Sequence, residues 1–319
     1  MPKEFAHWCI AEKARMALAA KGNAFAVVLE QYKHIYHLGA VAPDSLYYPV
    51  YMPQAAGFGR SAAAIHGAGF AEPFRNTGAR YGNPVLPACQ AFLAGAAAHV
   101  VADSVFHPFV YYFSGDSHSP DARTAFDAVA RHRHIETMLD LHYYGTVGLP
   151  HSYSMYELLR EKEISDNDFY EMMSKFYGCG ISPAMSELAL KTHAHAVYLA
   201  RNRLVVNAIR LLNRAAFRRF ETVRGMCYPA LRRLSLPFFE NQVRYKHPKD
   251  GVERFESVSG METRALDLLA SIFGNFTSVT GGDLLAPEIR DVLSDGTCGL
   301  EKGNMSYTDT SASLFELLK

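Results

Sequence analysis

Between Ala88 and Phe113 the chain is apolar enough to cross a membrane, yet it places His99, Asp103 and His107 four residues apart inside that run. Each of these groups would be costly in lipid, so the segment reads as a buried helix with a functional stripe and not as a span. Positions i, i+4 and i+8 of a helix drift by about 40° per step and rise by about 6 Å, so the three side chains leave one face. The pattern predicts a helix over residues 89–107. It should stop near His107, because Pro108 disfavours helical geometry at the residue before it.

Helical spacing recurs along the chain. Residues 3–21 and 24–38 read as a helical hairpin around Gly22-Asn23. Residues 39–90 are broken repeatedly by Ala42-Pro43, Tyr48-Pro49, Met52-Pro53 and Asn83-Pro84, which predicts long loops with a short helix near Ser61–His66. After a turn cluster at 114–121, Ser119-Pro120 opens a helix to about Tyr144. Further helices are expected at 154–162, at 166–177 capped by Asp166, over a long segment, straight or kinked, from 183 to about 222, at 261–275 and at 284–293. Tyr245–Gly260 reads as a polar interruption, 296–313 as loose, and no stretch alternates with a period of two. The chain therefore reads as all-α, with a region at 1–150 bearing the chemistry and a region at 151–319 completing the bundle or forming a second helical subdomain.

Composition narrows the function. Eleven of the 14 histidines fall within residues 1–151. Lys plus Arg equals Asp plus Glu at 32 each, so the basic excess that favours nucleic acid is absent. Cys9, Cys89, Cys179, Cys227 and Cys298 are scattered and never form C-x-x-C, which argues against a disulfide framework or a cysteine metal site. The early charges Lys3, Glu4, Glu12, Lys13 and Arg15 interrupt any apolar signal core. A cytoplasmic protein is the expectation.

The stripe suits metal chemistry. Paired metals in hydrolases sit roughly 3.5–4 Å apart, so the middle carboxylate of a His-Asp-His rack can bridge two while each imidazole takes one. The next helix offers His132 and Glu136 four apart, on a face that Asp140 extends. His34, His37, His118, His134, His142 and His151 lack a placed partner and read as solvent-facing or supporting groups. His193 and His195, two apart, read as surface, and the arginine-rich run Arg214–Arg233 as solvated faces with phosphate or anionic lipid as alternative contacts.

These residues carry a family resemblance. In FAHW around His7, HLGAVAPDSLYYP around Asp44, AAIHGAG around His66, and FLAGAAAHVVADSVFHPFVYY running on to RHRHIE, the chain resembles the zinc-dependent phospholipase C family, related in fold to P1- and S1-type nucleases. The resemblance implies an all-helical bundle holding two or three zinc ions. One would be held by Asp44, His66, His99 and Asp103, a second by His107, His132 and Glu136, and a third by His7 with a share of Asp103. It implies phosphoester hydrolysis by a zinc-bound hydroxide, with Asp103 beneath the nucleophile and Asp44 as ligand or orienting base. Secreted members use a mature N-terminal tryptophan at the third zinc, whereas here Trp8 follows His7. Phospholipid is the leading substrate class. A nuclease or nucleotidase, and a non-catalytic metal- or lipid-binding module, are the alternatives.

Overall fold

The structure is a computed structural model and describes residues 3–49, 55–66, 86–149, 153–178, 180–247 and 251–276. The protein is an all-α bundle. The helices expected at 284–293 and the stretch 296–313 lie outside the described residues, as do Cys179, Cys298 and His151.

Helix α1 (Glu4–Ala20), α2 (Phe25–Gln31) and α3 (Lys33–Gly39) lead into a 3₁₀ turn at Ala42–Tyr47, then α4 (Ala55–His66), α5 (Leu86–Ser114) and α6 (Ala122–Tyr143). There follow α7 (Met155–Glu161), α8 (Asp166–Tyr177), α9 (Pro183–Arg201), α10 (Arg203–Ala215), α11 (Glu221–Gly225) and α12 (Pro237–Glu240). Strands β1 (Val243–Lys246) and β2 (Glu253–Glu256) precede α13 (Val258–Phe276). One buried cluster runs from Phe5 to Phe273, so helices after residue 151 share their core with those before it.

Helix α5 is the centre of the bundle, with α1, α3, α6 and α13 packed around it. Its most apolar window is 94% buried, which accounts for its hydropathy without a membrane. The approach of α3 to α5 is set by two glycines. A Cβ on Gly39 would lie 2.2 Å from the Phe92 carbonyl oxygen, and one on Gly95 would lie 2.0 Å from that of Tyr36. Only a residue without a side chain allows backbones to approach so closely.

Several boundaries differ from the sequence-based expectation. Helix α5 continues through Pro108 to Ser114. Proline inside a helix costs roughly 3 kcal/mol, but the next turn buries Phe109, Val110 and Phe113, and each such side chain repays about 1.5–3 kcal/mol. Phe109 packs against Phe238, Phe239 and Tyr245. The hairpin splits at Tyr32 into α2 and α3. The cap of α8 is Ser165, whose hydroxyl accepts the Asp168 amide, and not Asp166. The long segment from 183 to about 222, which the sequence leaves free to kink, is divided at Asn202, whose side chain caps α10 through the amides of Leu204 and Val205. The polar segment near Tyr245 holds a short antiparallel hairpin pairing Val243 with Glu256 and Lys246 with Glu253. Four-residue strands are too short for alternation to stand out in sequence.

Candidate metal centre

Helix α5 presents His99, Asp103 and His107 from one face, all buried. Asp103 Oδ2 lies 3.3 Å from His99 Nε2, while Asp103 Oδ1 lies 3.7 Å from His107 Nε2 and 3.5 Å from His7 Nε2. Helix α1 supplies His7, whose ring stacks on that of His99 with centroids 4.1 Å apart. The 3₁₀ turn supplies Asp44, with Oδ1 3.5 Å from His99 Nε2. Helix α6 supplies His132 and Glu136, which meet at 2.7 Å. His66 is the last residue of α4, and its side chain lies outside the described residues.

Two donor groups result. His7, His99 and Asp103 offer ligand atoms within 4.8 Å of one another, and so do His107, His132 and Glu136. The close crossing of α3 on α5 brings the Ala40 carbonyl to His99, which donates to it through Nδ1 at 2.9 Å. That bond fixes the tautomer and turns Nε2 toward the carboxylates, the way metal-bound imidazoles are commonly oriented.

The buried donors perturb one another strongly. Burial, then the neighbouring His99, drives the His7 imidazole down to about 3. Burial also acts to lower His99, but the Asp103 and Asp44 carboxylates outweigh it and raise His99 to about 9. Asp103 is held well below the usual carboxylate range: burial opposes ionisation and the imidazoles of His107 and His99 overcome it. Burial puts His132 well below its ordinary value.

Both ring nitrogens of His7 and both oxygens of Asp103 are buried without a hydrogen bond of normal geometry. Each such atom costs about 1–3 kcal/mol if left unsatisfied. Imidazole nitrogens and carboxylate oxygens with this burial suit zinc.

Behind the donors lies a polar network that the sequence reading missed. Ser45, beside Asp44, shares a hydrogen bond of 2.9 Å with His193 Nδ1, and His193 Nε2 meets Glu4 at 3.0 Å. His193 is thus buried, contrary to the surface reading, because α9 packs on the 3₁₀ turn and brings it to Glu4. His195 is exposed. His37 is also buried, between Tyr153 and Glu12. Asp140 does not extend the His132–Glu136 face: it accepts the Ala6 amide at 2.8 Å and meets the Tyr228 hydroxyl at 2.6 Å. A signal was available at Glu4, a carboxylate three residues before a candidate ligand on the same helix.

A family model for zinc-dependent phospholipase C matches residues 6–187, more than half of the chain. The chain belongs to the zinc-dependent phospholipase C family. The matched span holds every donor named above, from His7 to Glu136, and ends within α9, before His193 and α10. No curated protein and no solved structure matches the chain.

Proposed function

We propose that the protein is a phosphodiesterase that cleaves the phosphoester bond of a phospholipid at a centre of two zinc positions sharing Asp103. The observation that carries this reading is the divided carboxylate of Asp103, one oxygen toward His99 and the other toward His107 and His7. Asp44, His99 and Asp103 would hold the first zinc, with His66 added by the family resemblance, and His7 stands beside them as the donor that the resemblance gives to a third position. Asp103, His107, His132 and Glu136 would hold the second. Zinc held there would supply a Lewis acid that polarises a phosphoryl oxygen and would lower the pKa of water toward about 7.

The chain's own residues do the positioning. His99 is locked by Ala40, and Asp103 is fixed on the most buried helix of the bundle. Asp44 stands on a turn held from behind by Ser45 and His193. His132 is the donor nearest solvent in the second group, with 17% of its side chain exposed.

Metal analysis of purified protein is expected to give two zinc per chain, and one or none overturns the reading. Turnover of a phosphocholine ester, compared with single-stranded nucleic acid, should fall by at least about a hundredfold in Asp103→Asn. Unaltered turnover would put the catalytic site elsewhere, and preference for nucleic acid would favour the nuclease alternative.

A further inference from the structure

Beyond residue 201 the chain builds a surface that the metal centre does not use. Helix α10 buries only Val206 and Asn213. Leu204, Ala208, Leu211 and Ala215 recur at i, i+4, i+7 and i+11 and so share one face. Leu204 on that face is 80% exposed and Leu211 66%. Arg203, Asn207, Arg210 and Arg214 repeat the same spacing one residue earlier, about 100° round the helix, and all four are exposed. The apolar face is thus turned away from the protein body and flanked by arginines.

The turn that follows is built to project. After Ala216 the chain reverses through Phe217 and Arg218 at φ 49° and 67°, a left-handed conformation disfavoured for residues bearing side chains. Buried Asn213 holds the reversal: its carbonyl accepts the Arg218 amide at 2.9 Å and its side chain accepts the Phe220 amide at 3.0 Å. Its amide group donates to Glu221 at 2.6 Å. The product of this strained, well-braced turn is a phenylalanine 94% exposed at its tip. A fold selected for its core alone gains nothing from that placement.

Charge identifies the occupant. Residues 203–224 contain six arginines and a single acid, Glu221, which is turned back onto Arg224 and Asn213. Among the described residues Arg203, Arg210, Arg214 and Arg219 make no ion pair. Under the tip, a cavity of about 380 Å³ is lined by Arg123, Phe126, Phe217, Arg218 and Arg219, with Asp127 as its one acid, paired to Arg218. We propose that α10 and the turn at 216–220 dock the protein on an anionic phospholipid bilayer. Leu204, Leu211, Leu212 and Phe217 enter the acyl boundary, and the arginines lie at the level of the lipid phosphates. A second copy of the chain is disfavoured as occupant, since this face offers no free carboxylate to neutralise the arginines of a copy.

The docking face is fastened to the helix that bears part of the metal centre. Helix α11 lies so close to α6 that a Cβ on Gly225 would fall 2.8 Å from the Ala130 carbonyl oxygen. Thr137 donates to the Gly225 carbonyl at 2.7 Å, and Arg218 reaches Asp127 at 3.3 Å. His132 and Glu136 leave α6 on a different side, toward α5. The face also lies outside the residues matched by the family model, so it is argued from this chain's own geometry and stands apart from the phosphodiesterase reading.

The test is co-sedimentation of the full chain with vesicles of phosphatidylcholine, alone or mixed with phosphatidylglycerol. Binding to mixed vesicles should be at least about tenfold tighter than to phosphatidylcholine alone and should weaken with salt. The double variants Leu211→Glu/Phe217→Ser and Arg210→Glu/Arg214→Glu should each lose about tenfold or more while keeping turnover on a soluble short-chain phosphoester. Wild-type protein that ignores mixed vesicles, or variants that bind them unchanged, would overturn the proposal. So would absence of vesicle binding together with a dimer in sedimentation velocity that the variants dissociate, which would assign the face to a second copy. Vesicle binding without hydrolysis of any phosphoester would leave docking in place and remove the proposed activity.

Discussion

Asp140 accepts the backbone amide of Ala6 at 2.8 Å and so ties the helix carrying Glu136 to the helix carrying His7. The same carboxyl meets the Tyr228 hydroxyl at 2.6 Å, and that hydroxyl also lies 3.2 Å from Glu4. One phenolic proton cannot serve two carboxylates. A proton on Asp140 resolves the conflict: Asp140 donates to Tyr228, and Tyr228 donates to ionised Glu4. Burial first, and then the charge of Glu4, raise the Asp140 carboxyl to about 7. An unfolded aspartate titrates near about 3.9.

A pH dependence follows. A carboxyl raised in the folded state gives stability that is complete below about pH 4 and lost as pH rises through about 7. Asp140→Asn keeps the neutral form at every pH. The melting temperature of the variant relative to the native chain should therefore climb between pH 5 and 8, by several degrees at the upper end. A difference that stays flat across that range would show Asp140 to be ionised throughout.

The crossing of α3 and α5 is the second place where a small change has a large effect. Gly95→Ala puts a methyl group 2.0 Å from the Tyr36 carbonyl oxygen, so the two backbones must separate. Overpacking of this kind costs about 1–3 kcal/mol or more. The displacement also withdraws the Ala40 carbonyl from His99. Denaturant unfolding should show the loss of stability, and zinc titration should show weaker binding in the same variant. Native stability in Gly95→Ala would mean that the helices separate freely.

The stripe of candidate donors was legible because ligand spacing and helix period coincide: His99, Asp103 and His107 share a face by arithmetic alone. His132 and Glu136 followed by the same reasoning. Asp140 obeyed the spacing too, yet it serves Ala6 and Tyr228, because a residue one turn further along α6 has left the donor cluster and reached the start of α1. His193 was invisible for a different reason. Its partners Ser45 and Glu4 are 148 and 189 residues away, and no local pattern reports a contact made only when α9 packs on the 3₁₀ turn. Pro108 misled because local backbone preference was outweighed by the aromatic packing of Phe109.

The His193 bridge makes its own prediction. His193→Ala leaves Ser45 and Glu4 buried without their partner, a loss of about 2–4 kcal/mol. It also frees the turn that presents Asp44, so zinc affinity should fall with stability. His193→Gln can accept from Ser45 through its carbonyl and donate to Glu4 through its amide, and it should recover most of both. Equal damage from the two substitutions, measured by thermal unfolding and zinc titration, would show that the ring's shape and not its hydrogen bonds supports the turn.

The two donor groups should empty separately. Glu136→Gln and His132→Ala remove ligands from the second group only, so each should lower zinc content from two per chain to one while the first group, anchored by His99 and Asp44, stays filled. Asp103→Asn takes charge from both groups at once and should lower both occupancies. Losing an anionic or imidazole donor typically costs 10- to 100-fold or more in affinity, enough to be read by competition with a chromogenic chelator. If His132→Ala retained two zinc ions of native affinity, the second group would not be a metal position. If it lost both, the two positions would fill only together, with Asp103 coupling them.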